Sequence, residues 1–307
     1  QVLHYATSVF EGLKAFRGSD DKIRVFRIDE NMKRMVKSAK RATLPEFCPV
    51  ELEELICELV RMESEWVPSE PGSSLYIRPL LFGTDPSIGI NVSASARLLV
   101  ICSPVGAYFK RAMRLTLLAD PSTVRSFPGG AGAFKMSSNY APTIAPARDA
   151  AKRGCHQVLW LFGEDQKITE AGVMNFFVIW KNKQGEIEMV TAPLSDGLIL
   201  PGITRDSILT LAREWNQFKV SEEYPTMQQL RLATQEGRVL EVFGAGTAAV
   251  VARIGRIVHV DGEGGHSIAL SLPLKDSFFK SLHINSKETV CCLQHGKVEK
   301  SEWTRLI

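Results

Sequence analysis

Lys135 carries the one charged side chain in residues 129–142, GGAGAFKMSSNYAP, and Tyr140 follows five positions later. Small, backbone-permissive residues let a main chain approach a flat ligand and aim a single nucleophile at it. An amine held in that way can form a Schiff base with an aldehyde cofactor. The same composition also describes a glycine-rich surface loop with a solvated lysine.

Two further segments can hold an anion. In residues 198–209, LILPGITRDSIL, Pro201 and Gly202 make a turn and Thr204 stands where a helix begins. A helix start offers unpaired N–H groups and partial positive charge, which suits a phosphate; a simple N-cap is the plainer reading. Residues 243–249, FGAGTAA, follow the strand pattern VLEVF, and Gly244 and Gly246 permit close approach while Thr247 and Ala248 offer amides. No lysine follows the second glycine, so this is no Walker loop, and it lacks the dinucleotide fingerprint. Two such cups with a separate lysine loop suggest an anion-bearing cofactor rather than a nucleotide.

Glu170, in KITEAGVMNFF, precedes an apolar strand pattern at 176–180. It is either a solvated strand-end carboxylate or the partner that keeps a pyridine nitrogen protonated, so that the ring withdraws electrons. Arg34 and Arg78 are the remaining cations of interest. Arg78, in LYIRP, lies in an apolar strand pattern, where a guanidinium either snorkels to water or awaits a carboxylate.

The elements that must position these groups mix strands and helices without regular alternation or internal repeat. The opening QVLHYA is strand-like, and so are 22–27, 74–81, 97–102, 115–119, 158–162, 175–180, 187–191 and 239–243. Asp29 can cap a helix that buries Met32, Met35, Val36 and Ala39 and leaves Arg34 at its margin. A helix after Pro49 aligns Leu52, Leu55, Ile56, Leu59 and Val60, and one over 204–218 aligns Ile208, Leu211, Ala212 and Trp215. The expected fold is α+β, with a small N-terminal domain over 1–107, a crossing at 108–115, and a large domain over 116–307 that carries Lys135.

The 307 residues, 45% hydrophobic and 23% charged, fit a globular chain long enough for two domains. A formal charge of +3 without a dense basic run argues against a nucleic-acid partner, and no apolar stretch is long enough to cross a bilayer. The six cysteines show no paired spacing, which points to a reducing compartment; the adjacent Cys291 and Cys292 are idle thiols or redox-active. The histidines are scattered, so no metal is expected. The chain begins at Gln1, and further residues are expected upstream.

Taken together, the chain resembles the branched-chain amino acid aminotransferases, fold-type IV enzymes that use pyridoxal 5′-phosphate. The ordered anchors are FEGLKAFRG (10–18), NMKRM (31–35), SLYIRP (74–79), SPVGAYF (103–109), QVLWLFGEDQKITEAGVMN (157–175), LILPGITR (198–205), FGAGTA (243–248) and SEWTRL (301–306). The resemblance implies transfer of the amino group of Leu, Ile or Val to 2-oxoglutarate by a ping-pong route. Lys135 would then hold the cofactor and shuttle the substrate Cα proton, Tyr140 would bond the ring's phenolic oxygen, and Glu170 would pair with its nitrogen. Arg34, Gly202, Ile203, Thr204, Gly246 and Thr247 would cradle the phosphate, and Leu200 would pack on the ring. Tyr5, Phe10, Tyr76 and Tyr108 would line the substrate side. Tyr76 and the amides of Thr247 and Ala248 would take the α-carboxylate, and Arg78 the distal carboxylate of glutamate.

One apolar, tyrosine-rich lining with a marginal cation can serve both an aliphatic side chain and a second carboxylate. A homodimer in the cytoplasm or mitochondrion is implied, with Tyr5 or Tyr76 near the partner chain. The sequence departs from the family pattern, in two places from its vertebrate form and in a third from the commoner lysine loop. Ala249 and Ala252 replace a redox-active cysteine pair, Val173 replaces a threonine beside Glu170, and the lysine loop reads GAFKMSSNY. Loss of the pair implies no thiol control there. Alternatives are a D-amino acid aminotransferase, an aminodeoxychorismate lyase, or a non-catalytic anion-binding scaffold.

Overall fold

A computed structural model describes residues 1–106, 114–261, 266–272, 290, 294–295 and 301–307, without the side chains of 261, 266–268 and 301. Tyr108, Cys291 and Cys292 therefore lie outside the described residues. Contacts divide the chain into two units: Gln1–Tyr108 with Phe134–Ala141 and Thr289–Ile307, and Phe109–Ala133 with Pro142–Glu288. The domain expected over 116–307 thus gives up two segments to the first unit, Lys135 among them. The cause is local pairing: the Phe10 amide donates to the Lys135 carbonyl at 3.1 Å, Val9 bridges Met136, and a C-terminal strand at Thr304–Leu306 pairs with residues 24–26.

The first unit begins with a short helix, α1 (Val2–Tyr5), where QVLHYA suggested a strand. Left-handed Ala6, at φ 50°, closes it by donating to the Val2 carbonyl. Strands β1 (Ser8–Phe10), β2 (Leu13–Arg17), β3 (Ile23–Phe26), β4 (Ser74–Gly83) and β5 (Ala96–Val105) follow, with helices α2 (Ile28–Arg41) and α3 (Pro49–Met62) between β3 and β4. The sheet runs β1-β4-β2-β3 and then the C-terminal strand, with β5 also on β4, every pairing antiparallel.

Its core joins Leu13, Val25, Leu75 and Ile77 of the sheet to Met32, Met35 and Ala39 of α2 and Leu52, Ile56 and Val60 of α3. Leu55, expected on the buried face of α3, is 66% exposed, because Cys57 takes the inward position instead. Asp29 does not cap α2 but lies in its first turn. The cap is left-handed Arg27, at φ 47°, held there by its amide bond to the Trp303 carbonyl and its guanidinium over the Trp303 ring.

The second unit contains β6 (Leu115–Ala119), β7 (Gln157–Phe162), β8 (Lys167–Ala171), β9 (Met174–Lys181), β10 (Ile187–Thr191), β11 (Lys219–Glu222), β12 (Val239–Gly246), β13 (Val250–Asp261) and β14 (His266–Ser271). Its helices are α4 (Ile144–Lys152), α5 (Ile203–Trp215) and α6 (Met227–Gln235). The order is β11-β10-β9-β12-β13-β6-β7-β8, and a β8–β9 pairing closes the last six of these strands, β9 to β8, into a ring. Parallel pairs β13–β6 and β6–β7 sit among antiparallel ones, so the architecture is α+β. The ring's interior is apolar, with Leu117, Leu159, Ile168, Phe176, Val178 and Ile257 all at most 1% exposed. Closure removes open strand edges from the ring and gives the residues at its rim a rigid base. Among the described residues, no helix is long and apolar enough to cross a membrane.

Candidate active site

In the first unit, backbone pairing fixes Lys135 before its side chain does anything. Its amide donates to Ser38 Oγ of α2 at 2.9 Å, and its carbonyl accepts from Phe10 at the end of β1. The half-buried amine lies 3.3 Å from the Tyr140 hydroxyl, to which it donates, and 5.0 Å from the centre of the Phe10 ring. Phe10 and Tyr140 are 4.9 Å apart, centre to centre. An amine beside a phenol on an aromatic wall is poised for covalent chemistry with a flat carbonyl compound. A solvated surface lysine has no such surroundings.

The substrate-side residues of the same unit cluster around Phe10. Arg78 donates to the Tyr76 hydroxyl at 2.7 Å, and its guanidinium stands 4.6 Å from the centre of the Phe10 ring and 5.1 Å from that of Tyr76. Arg78 is half-buried and pairs with no carboxylate of the described chain. Tyr76 fits closely over Gly12, where an added Cβ would meet its hydroxyl at 2.3 Å. Tyr5 is set apart from this group: it is 38% exposed and bonds the Ile88 carbonyl at 2.6 Å.

Arg34 is buried, not marginal. Nε and a terminal nitrogen donate to the two oxygens of Glu11 at 2.8 and 2.7 Å, and Glu11 is wholly buried. Asn31 donates to the same carboxylate at 2.8 Å. Burial pushes the Glu11 carboxyl up, but the charge and hydrogen bonds of Arg34, with Lys135 and Asn31 behind, hold it below the ordinary range. Arg34 is raised, burial being outweighed by Glu11. Glu11 stands in the FEG motif and was not singled out in the sequence. The signal available was an acid directly between Phe10 and Gly12 at the end of the strand pattern SVF.

In the second unit, Glu170 lies inside β8, paired with Trp160 and Asn175 across the ladder, rather than at a solvated strand end. One oxygen accepts from Asn175 Nδ2 at 3.2 Å and from the Leu200 amide at 3.3 Å. The other is 2.8 Å from an Arg125 nitrogen, and both side chains are about 5% exposed. Asn175 also donates to the Leu200 carbonyl at 2.9 Å, so Leu200 and Glu170 are held as a pair. Arg125 and Asn175 were not foreseen, since a carboxylate 45 positions away leaves no local mark on an arginine.

Helix α5 begins at Ile203 with Gly202 as its N-cap, and no side chain caps it. Thr204 is the second helical residue, not the cap. Ile203 and Thr204 are buried, and a side chain at Gly202 would put its Cβ 2.0 Å from Asn175 Oδ1. The helix packs against β12. At the end of β12, Gly246, Thr247 and Ala248 form the half-buried turn into β13. An uncapped helix start and a glycine turn in one unit fit a phosphate. An amine with a phenol, and a buried carboxylate ringed by donors, fit a pyridoxal ring by their chemistry. Val173 is exposed, while Ala249 and Ala252 pack on the ring's core.

Residues 8–257 match the model of the amino-transferase class IV family. The cytosolic branched-chain-amino-acid aminotransferase of Caenorhabditis elegans is 46% identical over 99% of this chain and 74% of its own. The chain is a class IV aminotransferase of the branched-chain group. The mitochondrial relative of Rattus norvegicus is 49% identical over 84% of this aminotransferase and 66% of its own length, so the group includes cytosolic and mitochondrial forms. Among solved structures, the Thermoproteus uzoniensis branched-chain aminotransferase with norvaline superposes with a TM-score of 0.81 at 26% identity, over 99% of this aminotransferase and 91% of that chain. A T.th. branched-chain aminotransferase with pyridoxamine 5′-phosphate reaches 0.77 at 27% identity, covering 99% and 90%. The two-domain fold of fold-type IV is therefore that of this aminotransferase.

Proposed function

We propose that the enzyme transfers the amino group of L-leucine, L-isoleucine or L-valine to 2-oxoglutarate with pyridoxal 5′-phosphate bound at Lys135. The observation that carries this reading is the Lys135 amine, fixed by Ser38 and Phe10 and 3.3 Å from the Tyr140 hydroxyl. When bound, the cofactor supplies an electron sink for the carbanion at the substrate Cα.

The chain's own groups do the rest. Lys135 would hold the cofactor and would carry the proton at the substrate Cα. Tyr140 would bond the ring oxygen, and Glu170 would pair with the ring nitrogen. Arg34, with Gly202, Ile203, Thr204, Gly246 and Thr247, would bind the phosphate through charge and amides. Leu200, whose amide donates to Glu170, would lie against the ring. Phe10 and Tyr76 supply apolar surface for the branched side chain, with Tyr5 and Tyr108 assigned to the same lining. The Tyr76 hydroxyl and the Thr247 and Ala248 amides take the α-carboxylate. Arg78, held among the described residues by a neutral phenol and two ring faces, would receive the second carboxylate of glutamate.

A homodimer is part of this proposal. Its support is the exposed apolar set Ile88, Ile90, Val92, Leu99 and Ile101, which covers β5 and the segment leading to it. Steady-state assays with L-leucine and D-alanine test the function. Turnover of L-leucine that is lost in Lys135→Ala supports it, and turnover of D-alanine alone assigns another class IV activity.

A further inference from the structure

We propose that Arg125 is a positioning residue that keeps Glu170 ionised, and so places the proton shared between carboxylate and cofactor on the ring nitrogen. The inference rests on the function proposed above. Arg125 and Glu170 are an ion pair at 2.8 Å with almost no exposure. Burial by itself favours a neutral carboxyl group, and a neutral Glu170 would leave the ring unprotonated. The Asn175 and Leu200 donors occupy one oxygen of Glu170, and the cation stands on the other. Arginine suits the task because it does not lose its proton at any pH the enzyme meets.

The loop around Arg125 is built to hold it inward. Val124 and Phe127 are 50% and 60% exposed, whereas Ser126 is buried and donates to the Leu198 carbonyl at 2.5 Å. That bond fixes the Arg125 loop to the segment that presents Leu200. Arg125 also reaches the Gly132 carbonyl at 3.5 Å, and Gly132 has no room for a side chain, since a Cβ would fall 2.6 Å from the Leu198 carbonyl oxygen. A guanidinium beside the carboxylate stabilises the charge-separated arrangement of anionic acid and protonated ring over the neutral one. Its charge lies 2.8 Å from the acid it stabilises.

The test loads the parent, Arg125→Met, Arg125→Lys and Glu170→Gln enzymes with cofactor labelled with nitrogen-15 in the ring, and reads the ring signal by NMR. The parent and Arg125→Lys are expected to show a protonated ring. Arg125→Met should move most of the way to the unprotonated signal of Glu170→Gln, and its single-turnover rate with L-leucine should fall at least about tenfold, the scale for partners that orient a ligating group. Arg125→Gln gives the same reading if the methionine variant does not fold. A protonated ring in Arg125→Met beside an unprotonated one in Glu170→Gln overturns this inference alone. So does a lowered unfolding temperature in both Arg125 variants with the ring signal unmoved. A protonated ring in Glu170→Gln overturns the assignment of Glu170 and this inference with it.

Discussion

Replacing Glu11 by glutamine should destabilise the first unit by about 3–5 kcal/mol, because it leaves the buried Arg34 guanidinium without its counter-charge. Arg34 is 7% exposed and Glu11 not at all, and two charge-assisted bonds of 2.8 and 2.7 Å join them. Two unit charges about 4 Å apart attract by roughly 4 kcal/mol at an effective dielectric constant of 20, which agrees with that range. Urea unfolding of the parent and Glu11→Gln proteins, followed by tryptophan fluorescence and compared at equal m-value, measures the loss.

The pH dependence carries its own sign. The folded Glu11 carboxyl lies below its ordinary range, so its stabilisation is complete above that range and disappears as the pH falls through the folded value. The gap between parent and variant should therefore be constant at neutral pH and close on acidification. A double variant, Glu11→Leu with Arg34→Met, should recover most of the stability, since both desolvation costs vanish, yet bind the cofactor phosphate weakly. A loss below about 1 kcal/mol in Glu11→Gln, the scale of a solvated pair, would refute the reasoning.

Glu241, 8% exposed and 3.2 Å from Arg253, is pushed up to about 7 by burial, against the pull of Arg253. Its folded value is raised, so its stability is full below the ordinary glutamate range and is lost as the pH rises through about 7. Glu241→Gln should accordingly unfold at higher urea than the parent at pH 8 and match it near pH 4, with a gain of up to about 3 kcal/mol. Gly202→Ala drives a methyl into Asn175 Oδ1 and disturbs the group that holds Glu170 and Leu200; equilibrium dialysis should show cofactor affinity reduced at least about tenfold, a change of 1.4 kcal/mol. Arg78→Met should raise KM for 2-oxoglutarate by about tenfold or more while leaving KM for L-leucine within about threefold, because only the former brings a second carboxylate.

Where the chain's chemistry is local, it was readable. The lone amine among small residues at 129–142, the turn before α5 and the glycines ending β12 each declare their backbone demands within a few positions. Strands such as Leu115–Ala119 and Ile187–Thr191 were equally plain from their side chains. What escaped depends on distant partners. Arg34 looked marginal on its helix because its counter-charge, Glu11, is 23 residues earlier. Arg125 carries no local sign of its partner because Glu170 is 45 residues later. Asp29 looked like a cap, but Trp303 holds Arg27 in the capping conformation from the far end of the chain. The return of two later segments to the first unit was hidden for the same reason, since β1 and β3 recruit the Lys135 segment and the C-terminal strand across long stretches of sequence.

The central claim, that a cofactor held by Lys135 accepts and returns an amino group, is tested most directly by the visible absorbance of the loaded enzyme. Addition of L-leucine should bleach the band, and subsequent 2-oxoglutarate should restore it, with neither change in Lys135→Ala. A band that L-leucine leaves untouched, or that persists and cycles in Lys135→Ala, would contradict the account.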